Sequence, residues 1–279
     1  MASLGIIKVF FPALVAFIVG IFLTPALSAF LYKNEMWKKH SVRVAVDGKE
    51  AAISQSIHKD EERKVPRMGG VVIWLSASIT AILFWLLGEF FPGSILEKLD
   101  FVSRNQTWIP LFTLLAGSLI GLIDDYLETK GEGDHIAGGL SLKKRLFAVS
   151  AISLASALWF YFKLDVHSIT IPLRGPVDIS WAFIVLFLIV TIAIYSGGVI
   201  DGIDGLSGGI FAAIFSAYAG IAYFQDQVNL AAFCAAIVGG LLAFLWFNIP
   251  PARFFMSETG IMGLTITLTV VAFMTDTLG

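Results

Sequence analysis

Five acidic residues stand at the ends of long apolar stretches, where a carboxylate is costly unless it is paired or functional. They come from three separate segments and are Asp124, Asp125, Asp201, Asp204 and Glu258. Adjacent carboxylates repel each other at neutral pH, so the Asp124 and Asp125 pair predicts a bound cation or a catalytic role. Glu258 stands alone and is equally well explained as a solvated helix end.

Asp201 and Asp204 lie in a glycine-rich segment, 197–209, that contains six glycines. A helical turn would place these two acids on one face, because residues three apart are neighbours on a helix. Glycine backbone can also approach a ligand closely. Glycines interleaved with two acids therefore favour a ligand site over a simple membrane helix end.

The donor atoms indicate which chemistry this is. Carboxylate oxygens without His or Cys suit Mg²⁺ or Mn²⁺, and Mg²⁺ usually takes one or two carboxylates together with substrate phosphates. These preferences favour phosphoryl transfer. A basic stretch before Gly69 and Gly70 could hold the phosphates, and its cations are Lys59, Arg63, Lys64 and Arg67. The same stretch is equally well explained as a topology signal that attracts lipid headgroups.

The composition indicates which elements must position these acids. Of 279 residues, 57% are hydrophobic and 14% are charged, whereas soluble domains carry about 25% charged residues. A membrane protein is therefore expected. The net charge of −2 lacks the basic excess of a nucleic-acid-binding protein. The single cysteine, Cys234, excludes an internal disulfide and a cysteine-based zinc site.

Eight runs without Asp, Glu, Lys or Arg are long enough to approach the ~20 residues that cross a bilayer as a helix. They are Val9–Leu31, Met68–Gly88, Asn105–Ile123, Leu146–Phe162, Ile179–Ile200, Gly205–Gln225, Asn229–Phe247 and Thr259–Thr275. The expected fold class is therefore all-α, a polytopic transmembrane helix bundle with eight spans.

The orientation of the bundle follows from the distribution of Lys and Arg. With the N-terminus outside, inside segments hold 14 basic residues and outside segments hold five, as the positive-inside rule requires. The acids then all face the cytoplasm. An outside loop near Ile169 alternates in polarity and carries turn residues, which makes a short hairpin a further expectation.

Five motifs in order resemble the polyprenyl-phosphate N-acetylhexosamine-1-phosphate transferases, also grouped as glycosyltransferase family 4. They are Pro66-Arg-Met-Gly-Gly70, Asp124-Asp-Tyr126, Gly139-Leu-Ser-Leu-Lys-Lys-Arg145, Asp201-Gly-Ile-Asp-Gly-Leu206 and Phe244-Leu-Trp-Phe-Asn248 with Pro251-Ala252. Each motif is weak alone, but five at matching membrane positions are specific, and the resemblance covers nearly the whole chain.

The resemblance implies Mg²⁺-dependent transfer of a sugar 1-phosphate from a UDP-activated amino sugar to polyprenyl (undecaprenyl) phosphate, with release of UMP, in the cell inner (plasma) membrane. By similarity Asp124, Asp125 and Asp201 are catalytic, and Glu258 and Asp125 bind the metal. Gly202, Ile203, Asp204, Asn248 and Phe255 match the uridine pocket, and we add Lys64 as a phosphate-binding candidate. A homodimer is one candidate assembly, and no nucleic-acid partner is expected.

The sequence departs from the family pattern at the predicted metal ligand. Ser257-Glu258 stands where the family has Gly-Asp, and the longer glutamate moves its oxygens by more than an ångström. Tyr195 and Gly198 replace a double Asn. Arg67 resembles the N-acetylglucosamine branch, whereas segment 42–64 and Gly139-Leu-Ser141 resemble the muramoyl-pentapeptide branch. The phospho-N-acetylmuramoyl-pentapeptide donor, used in peptidoglycan synthesis, is favoured over UDP-N-acetylglucosamine.

Two other functional classes remain open at this point. A membrane transporter would use intramembrane acids as a cation path, although such sites normally lie near the midplane. An inactive fragment is the other, because family members have about ten helices and a His-rich cytoplasmic loop before the last. Residues 1–279 are therefore expected to form a single integral membrane transferase domain that lacks those C-terminal helices and that loop.

Overall fold

The computed structural model describes residues 2–37, 64–102, 106–133, 138–171, 175–201 and 203–277. These residues form helices, one hairpin and the loops that connect them. The helices are α1 (Ala2–Lys33), α2 (Val71–Phe90), α3 (Ile95–Leu99), α4 (Trp108–Lys130), α5 (Leu142–Lys163), α6 (Ala182–Ser196), α7 (Leu206–Phe224), α8 (Val228–Asn248) and α9 (Ser257–Met274). A 3₁₀ turn, Gly197–Ile200, follows α6.

Seven of these helices are long and apolar enough to cross a membrane. The fifth predicted run, 179–200, contains the shorter apolar helix α6, which has 15 residues, and the four-residue 3₁₀ turn. Together these two elements reach about 30 Å, given rises of about 1.5 and 2.0 Å per residue. The prediction of an all-α polytopic bundle is confirmed, and the placement of the N-terminus outside stays a prediction.

The predicted hairpin is present. Strands β1 (Ser168–Ile171) and β2 (Gly175–Asp178) are antiparallel, with Ser168 opposite Asp178 and Ile171 opposite Gly175. The hairpin connects α5 to α6 at the end of the bundle remote from the acids.

Helix α9 is the centre of the bundle and is buried along almost its whole length. It packs most extensively against α4 and also contacts α6, while α8 packs against α1, α2 and α7. Helix α1, in contrast, exposes large apolar side chains such as Phe10 and Phe22. In a bilayer this exposed apolar face meets lipid, whereas α9 meets only protein.

Small residues allow α4 and α9 to approach each other closely, as in many membrane helix pairs. A Cβ atom at Gly121 of α4 would overlap the backbone carbonyl of Glu258, and one at Gly117 would lie 2.8 Å from the Cα of Gly263. The backbone of α9 at its first turn therefore lies directly against the turn of α4 that precedes Asp124 and Asp125.

Aromatic packing joins α5, α6 and α9 towards the opposite end of the bundle. The rings of Phe187 and Phe273 stack with centroids 4.5 Å apart, and Phe160 lies 5.5 Å from Phe187. These contacts bury large apolar surface, so the two ends of α9 are held by different means, glycine contacts at one and aromatic rings at the other.

Candidate active site

Four segments that are distant in sequence meet at one end of the bundle. They are the loop Pro66–Gly70, the last turns of α4, the first turn of α5 and the first turn of α9. Successive spans run in opposite directions, so these ends share one side. The structure thereby brings together the acids that sequence analysis selected from separate segments.

Asp125 is fully buried and is held by the start of α9. The backbone N–H of Thr259 donates to Asp125 Oδ2 at 2.8 Å, and the Thr259 hydroxyl donates to the same oxygen at 2.5 Å. A helix N-terminus favours a negative charge because its first N–H groups lack helical partners. The other oxygen, Oδ1, lies 3.7 Å from Arg67 Nε.

Arg145 pairs with two acids of this cluster, Asp124 and Glu258. Its Nη1 donates to Glu258 Oε1 at 2.8 Å, and its Nη2 lies 3.0 Å from Asp124 Oδ2. The hydroxyl of Tyr195 donates to Glu258 Oε2 at 3.2 Å, while the backbone N–H of Leu140 donates to Asp124 Oδ1. Asp124 is fully buried, so a single guanidinium neutralises acids from α4 and α9.

Arg67 is the second cation of the cluster. Its Nη1 lies 2.8 Å from Glu128 Oε1, one turn beyond Asp125, and its Nε donates to Ser257 Oγ at 3.1 Å. The side chain of Arg67 is 24% exposed and that of Glu128 is 6% exposed. Arg67 therefore links the loop before α2 to both α4 and α9.

The loop that carries Arg67 is tied to the segment before α9 by backbone hydrogen bonds. Phe255 N donates to Pro66 O at 2.9 Å, Gly69 N donates to Phe255 O at 2.8 Å, and Gly70 N donates to Met256 O at 3.1 Å. A Cβ atom at Gly70 would meet the backbone of Gly260. Gly69 and Gly70 therefore allow the two backbone segments to pack closely within this site.

Asp201 lies beside the cluster and accepts hydrogen bonds from two serines. Ser257 N donates to Asp201 Oδ2 at 2.7 Å, and Ser207 Oγ donates to Asp201 Oδ1 at 2.9 Å. The backbone at Asp201 is extended, with φ −80° and ψ 100°. The expected helical turn is therefore wrong, because the chain leaves the 3₁₀ turn at Asp201.

Asp204 and Asn248 hold the neighbouring loop. Asp204 Oδ2 accepts a hydrogen bond from Ala252 N at 3.0 Å. The Asn248 side chain accepts from Gly205 N at 2.9 Å and donates to Phe254 O at 2.8 Å. Both residues connect the glycine-rich segment to the chain between α8 and α9. Their predicted contact with uridine stays a prediction.

The remaining predicted substrate-binding residues surround this loop. Ile203 is 65% exposed, and Phe255 is partly buried. Lys64 is exposed, with its Nζ 5.7 Å from the centre of the Trp37 ring. Gly202 lies outside the described residues. The roles predicted for these four residues stay predictions.

Several side chains of the cluster were missed as candidate site residues. They are Glu128, Arg145, Tyr195, Ser257 and Thr259, whereas Arg67 was among the cations expected to hold phosphates. A weak signal existed for Arg145, the last of three consecutive cations in the family-like segment 139–145. Spacing alone could not tell which of those three cations reaches the acids.

The donor atoms of this cluster fit a hard divalent cation. Asp125 Oδ1 and Asp124 Oδ2 are buried and accept no hydrogen bond within the described part of the chain, which is rare for buried polar atoms. The described ranges contain no group of three acidic, His or Cys side chains that could cage a metal. Mg²⁺ needs only one or two carboxylates when substrate phosphates complete its shell.

Comparison with known proteins places the chain in a recognised family. The sequence model of glycosyl transferase family 4 matches residues 107–276. A phospho-N-acetylmuramoyl-pentapeptide-transferase of Listeria innocua is 33% identical over 222 residues, which are 77% of this chain and 63% of that protein. The transferases of the same name from Anoxybacillus flavithermus and Bacillus subtilis are 31% and 28% identical, each over 96% of this chain and 75% of the relative.

Proposed function

Because the chain belongs to glycosyl transferase family 4, we propose that it transfers a sugar 1-phosphate from a UDP-sugar to polyprenyl phosphate and releases UMP. The favoured donor is UDP-N-acetylmuramoyl-pentapeptide, in peptidoglycan synthesis, because the relatives carry the corresponding name. The chain spans 63% of the length of the Listeria innocua relative, so this activity is proposed for the chain and not carried over from that protein.

One observation carries the proposal. Acids from α4 and α9 and arginines from two further segments converge at one end of an apolar bundle. A water-soluble, anionic donor and a membrane-bound acceptor can meet only at such an end. The positive-inside distribution of Lys and Arg favours the cytoplasmic face of the plasma membrane for this end.

The proposed reaction is a direct displacement at phosphorus. A lipid phosphate oxygen forms a bond to the β-phosphorus of the UDP-sugar, the bond between that phosphorus and the bridging oxygen breaks, and UMP leaves with that oxygen. A phosphate monoester has a second pKa near 6, so the nucleophile is mostly dianionic at neutral pH and needs little base catalysis.

The residues of the cluster have distinct roles in this proposal. Asp125 and Glu258 would hold Mg²⁺, which would neutralise charge on the diphosphate. Asp124 positions the lipid phosphate or takes its residual proton. Arg67 presents a guanidinium, the cation best suited to phosphate oxygens, beside the Asp125 oxygen that accepts no hydrogen bond within the described residues.

UDP-N-acetylglucosamine is the second candidate donor. Arg67, which resembles the N-acetylglucosamine branch, is fixed in the site by Glu128 and Ser257. This arginine, held by two partners beside the acids, is the observation that favours the second donor.

The test is a donor comparison with the purified full chain in detergent. Each UDP-sugar is supplied separately with Mg²⁺, with and without undecaprenyl phosphate, and UMP is quantified together with the lipid product. We expect UMP from UDP-N-acetylmuramoyl-pentapeptide only when the lipid phosphate is present. UMP formation from neither donor would overturn the proposal, and lipid-dependent UMP from UDP-N-acetylglucosamine alone would change the donor.

A further inference from the structure

Arg145 contacts Asp124 and Glu258, the second of which is a proposed metal ligand. One of its nitrogens lies 2.8 Å from Glu258 Oε1, and another lies 3.0 Å from Asp124 Oδ2. The other oxygen of Glu258 accepts from Tyr195 OH. Each oxygen of Glu258 therefore already has a partner in the protein, and a cation that bound Oε1 would lie beside the Arg145 guanidinium.

The contacts of Arg145 with Asp124 and Glu258 differ in kind, and this difference would allow another cation to replace Arg145. Asp124 Oδ2 accepts no hydrogen bond with good geometry within the described residues, and Arg145 Nε, which is also buried, donates none. The guanidinium is thus held by charge on one side and by a single hydrogen bond on the other. Its side chain is 21% exposed, so it has a route towards solvent.

We propose that Arg145 is a resident counter-cation for Asp124 and Glu258, which a divalent cation must displace before Glu258 can bind it. The inference rests on the proposed function, because it takes Glu258 as a metal ligand. A positive charge in contact with a metal ligand opposes cation binding strongly where solvent screening is weak. Metal affinity in this protein is accordingly set by Arg145 as well as by the acids.

The experiment measures Mn²⁺ binding to the full chain in detergent without nucleotide, from the electron paramagnetic resonance signal of free Mn²⁺. Arg145→Gln removes the charge and keeps a polar side chain. We expect it to lower the apparent dissociation constant at least about tenfold. If Arg145 made only a structural contact, Arg145→Gln would leave Mn²⁺ binding unchanged or weaken it. Either result overturns the inference.

Lys143→Gln is the matched control. It removes the same charge from the same helix, two residues away, at an exposed position. Because exposed charges are screened by salt, we expect its Mn²⁺ affinity to stay within about twofold of the wild-type value. A tightening equal to that of Arg145→Gln would overturn the inference, since the effect would then report net charge alone.

Arg145→Lys keeps the test decisive if Arg145→Gln does not fold. A single ammonium lacks the fork that spans two carboxylates, so we expect a smaller tightening, about threefold. A wild-type or weaker affinity in Arg145→Lys would again overturn the inference. The proposed function fails on a different result, the absence of lipid-dependent UMP formation by the wild-type protein.

Discussion

Thr259 donates two hydrogen bonds to one oxygen of Asp125, from its backbone N–H at 2.8 Å and from its hydroxyl at 2.5 Å. Asp125 Oδ1 is left without a hydrogen-bond donor within the described residues. The carboxylate is therefore fixed by one oxygen and presents the other. This division lets α9 orient an acid that belongs to α4.

Thr259→Val removes the hydroxyl and keeps the shape of the side chain. A hydrogen bond to a charged group is worth about 1.5–3 kcal/mol, so we expect the turnover number for UMP release to fall about tenfold or more. Thr259→Ser should restore most of the rate. Thr265→Val is the control, because among the described residues the Thr265 hydroxyl bonds only to carbonyls of its own helix. An equal loss of rate in Thr265→Val would show that the Thr259 hydroxyl has no special role.

Asp124→Asn and Asp125→Asn should each lower the turnover number steeply, by about a hundredfold or more, as expected for groups that act on charge in the transition state. The measurement is UMP release by purified protein of equal thermal stability. Asp226→Asn is the control, since Asp226 is exposed and has a φ of 59° that Asn tolerates. Near-wild-type rates in both Asp124→Asn and Asp125→Asn would show that the catalytic assignment is wrong.

Arg67 and Glu128 should be energetically coupled. Removing one partner of a mostly buried ion pair leaves the other uncompensated. The double variant Arg67→Gln/Glu128→Gln should therefore lose less stability than the sum of the losses in the two single variants. We expect a coupling free energy of about 1–2 kcal/mol. Unfolding in SDS, followed by tryptophan fluorescence, measures it. Additive single effects would mean that the 2.8 Å contact contributes no net stability.

Gly121→Ala should destabilise the bundle and inactivate it. The new methyl group would overlap the carbonyl of Glu258, and inserting a methyl into tight packing costs about 1–3 kcal/mol or more. The midpoint of thermal unfolding and UMP release both report the change. Gly220→Ala is the control, because a Cβ there meets nothing within 4 Å; it should be neutral or slightly stabilising, since Ala favours helix over Gly.

Removal of divalent cations should abolish UMP release. Treatment with EDTA followed by desalting should leave no activity, and added Mg²⁺ or Mn²⁺ should restore it, since both prefer oxygen ligands. The protein should remain folded after chelation, because Arg145 keeps Asp124 and Glu258 paired. Full activity without divalent cations would contradict the metal assignment of Asp125 and Glu258.

The sequence predicts the spans well and the burial of each span poorly. Apolar runs locate the helices because the bilayer core accepts almost no charge. Lipid and protein interior are both apolar, however, so hydropathy does not tell the exposed α1 from the buried α9. A signal was available in composition: α9 carries small and hydroxyl residues along its length, such as Gly263, Thr265 and Thr267, which suit contact with other helices.

The sequence also predicts only part of the candidate site. Alternation of the spans brings Asp124, Asp125 and Glu258 to one side, and the motifs mark them. The pairing of Arg67 with Glu128 depends on how a loop docks on two helices, which no local pattern encodes.

The glycine contacts between α4 and α9 make the spacing of the acids a property of the backbone. Gly121 touches the carbonyl of Glu258, and Gly117 lies against Gly263, so two main chains meet without side chains between them. Contacts between main chains cannot relax through a change of side-chain rotamer. In the proposed exchange, the Arg145 side chain can then leave its partners while the backbone positions of Asp124, Asp125 and Glu258 stay constant relative to one another.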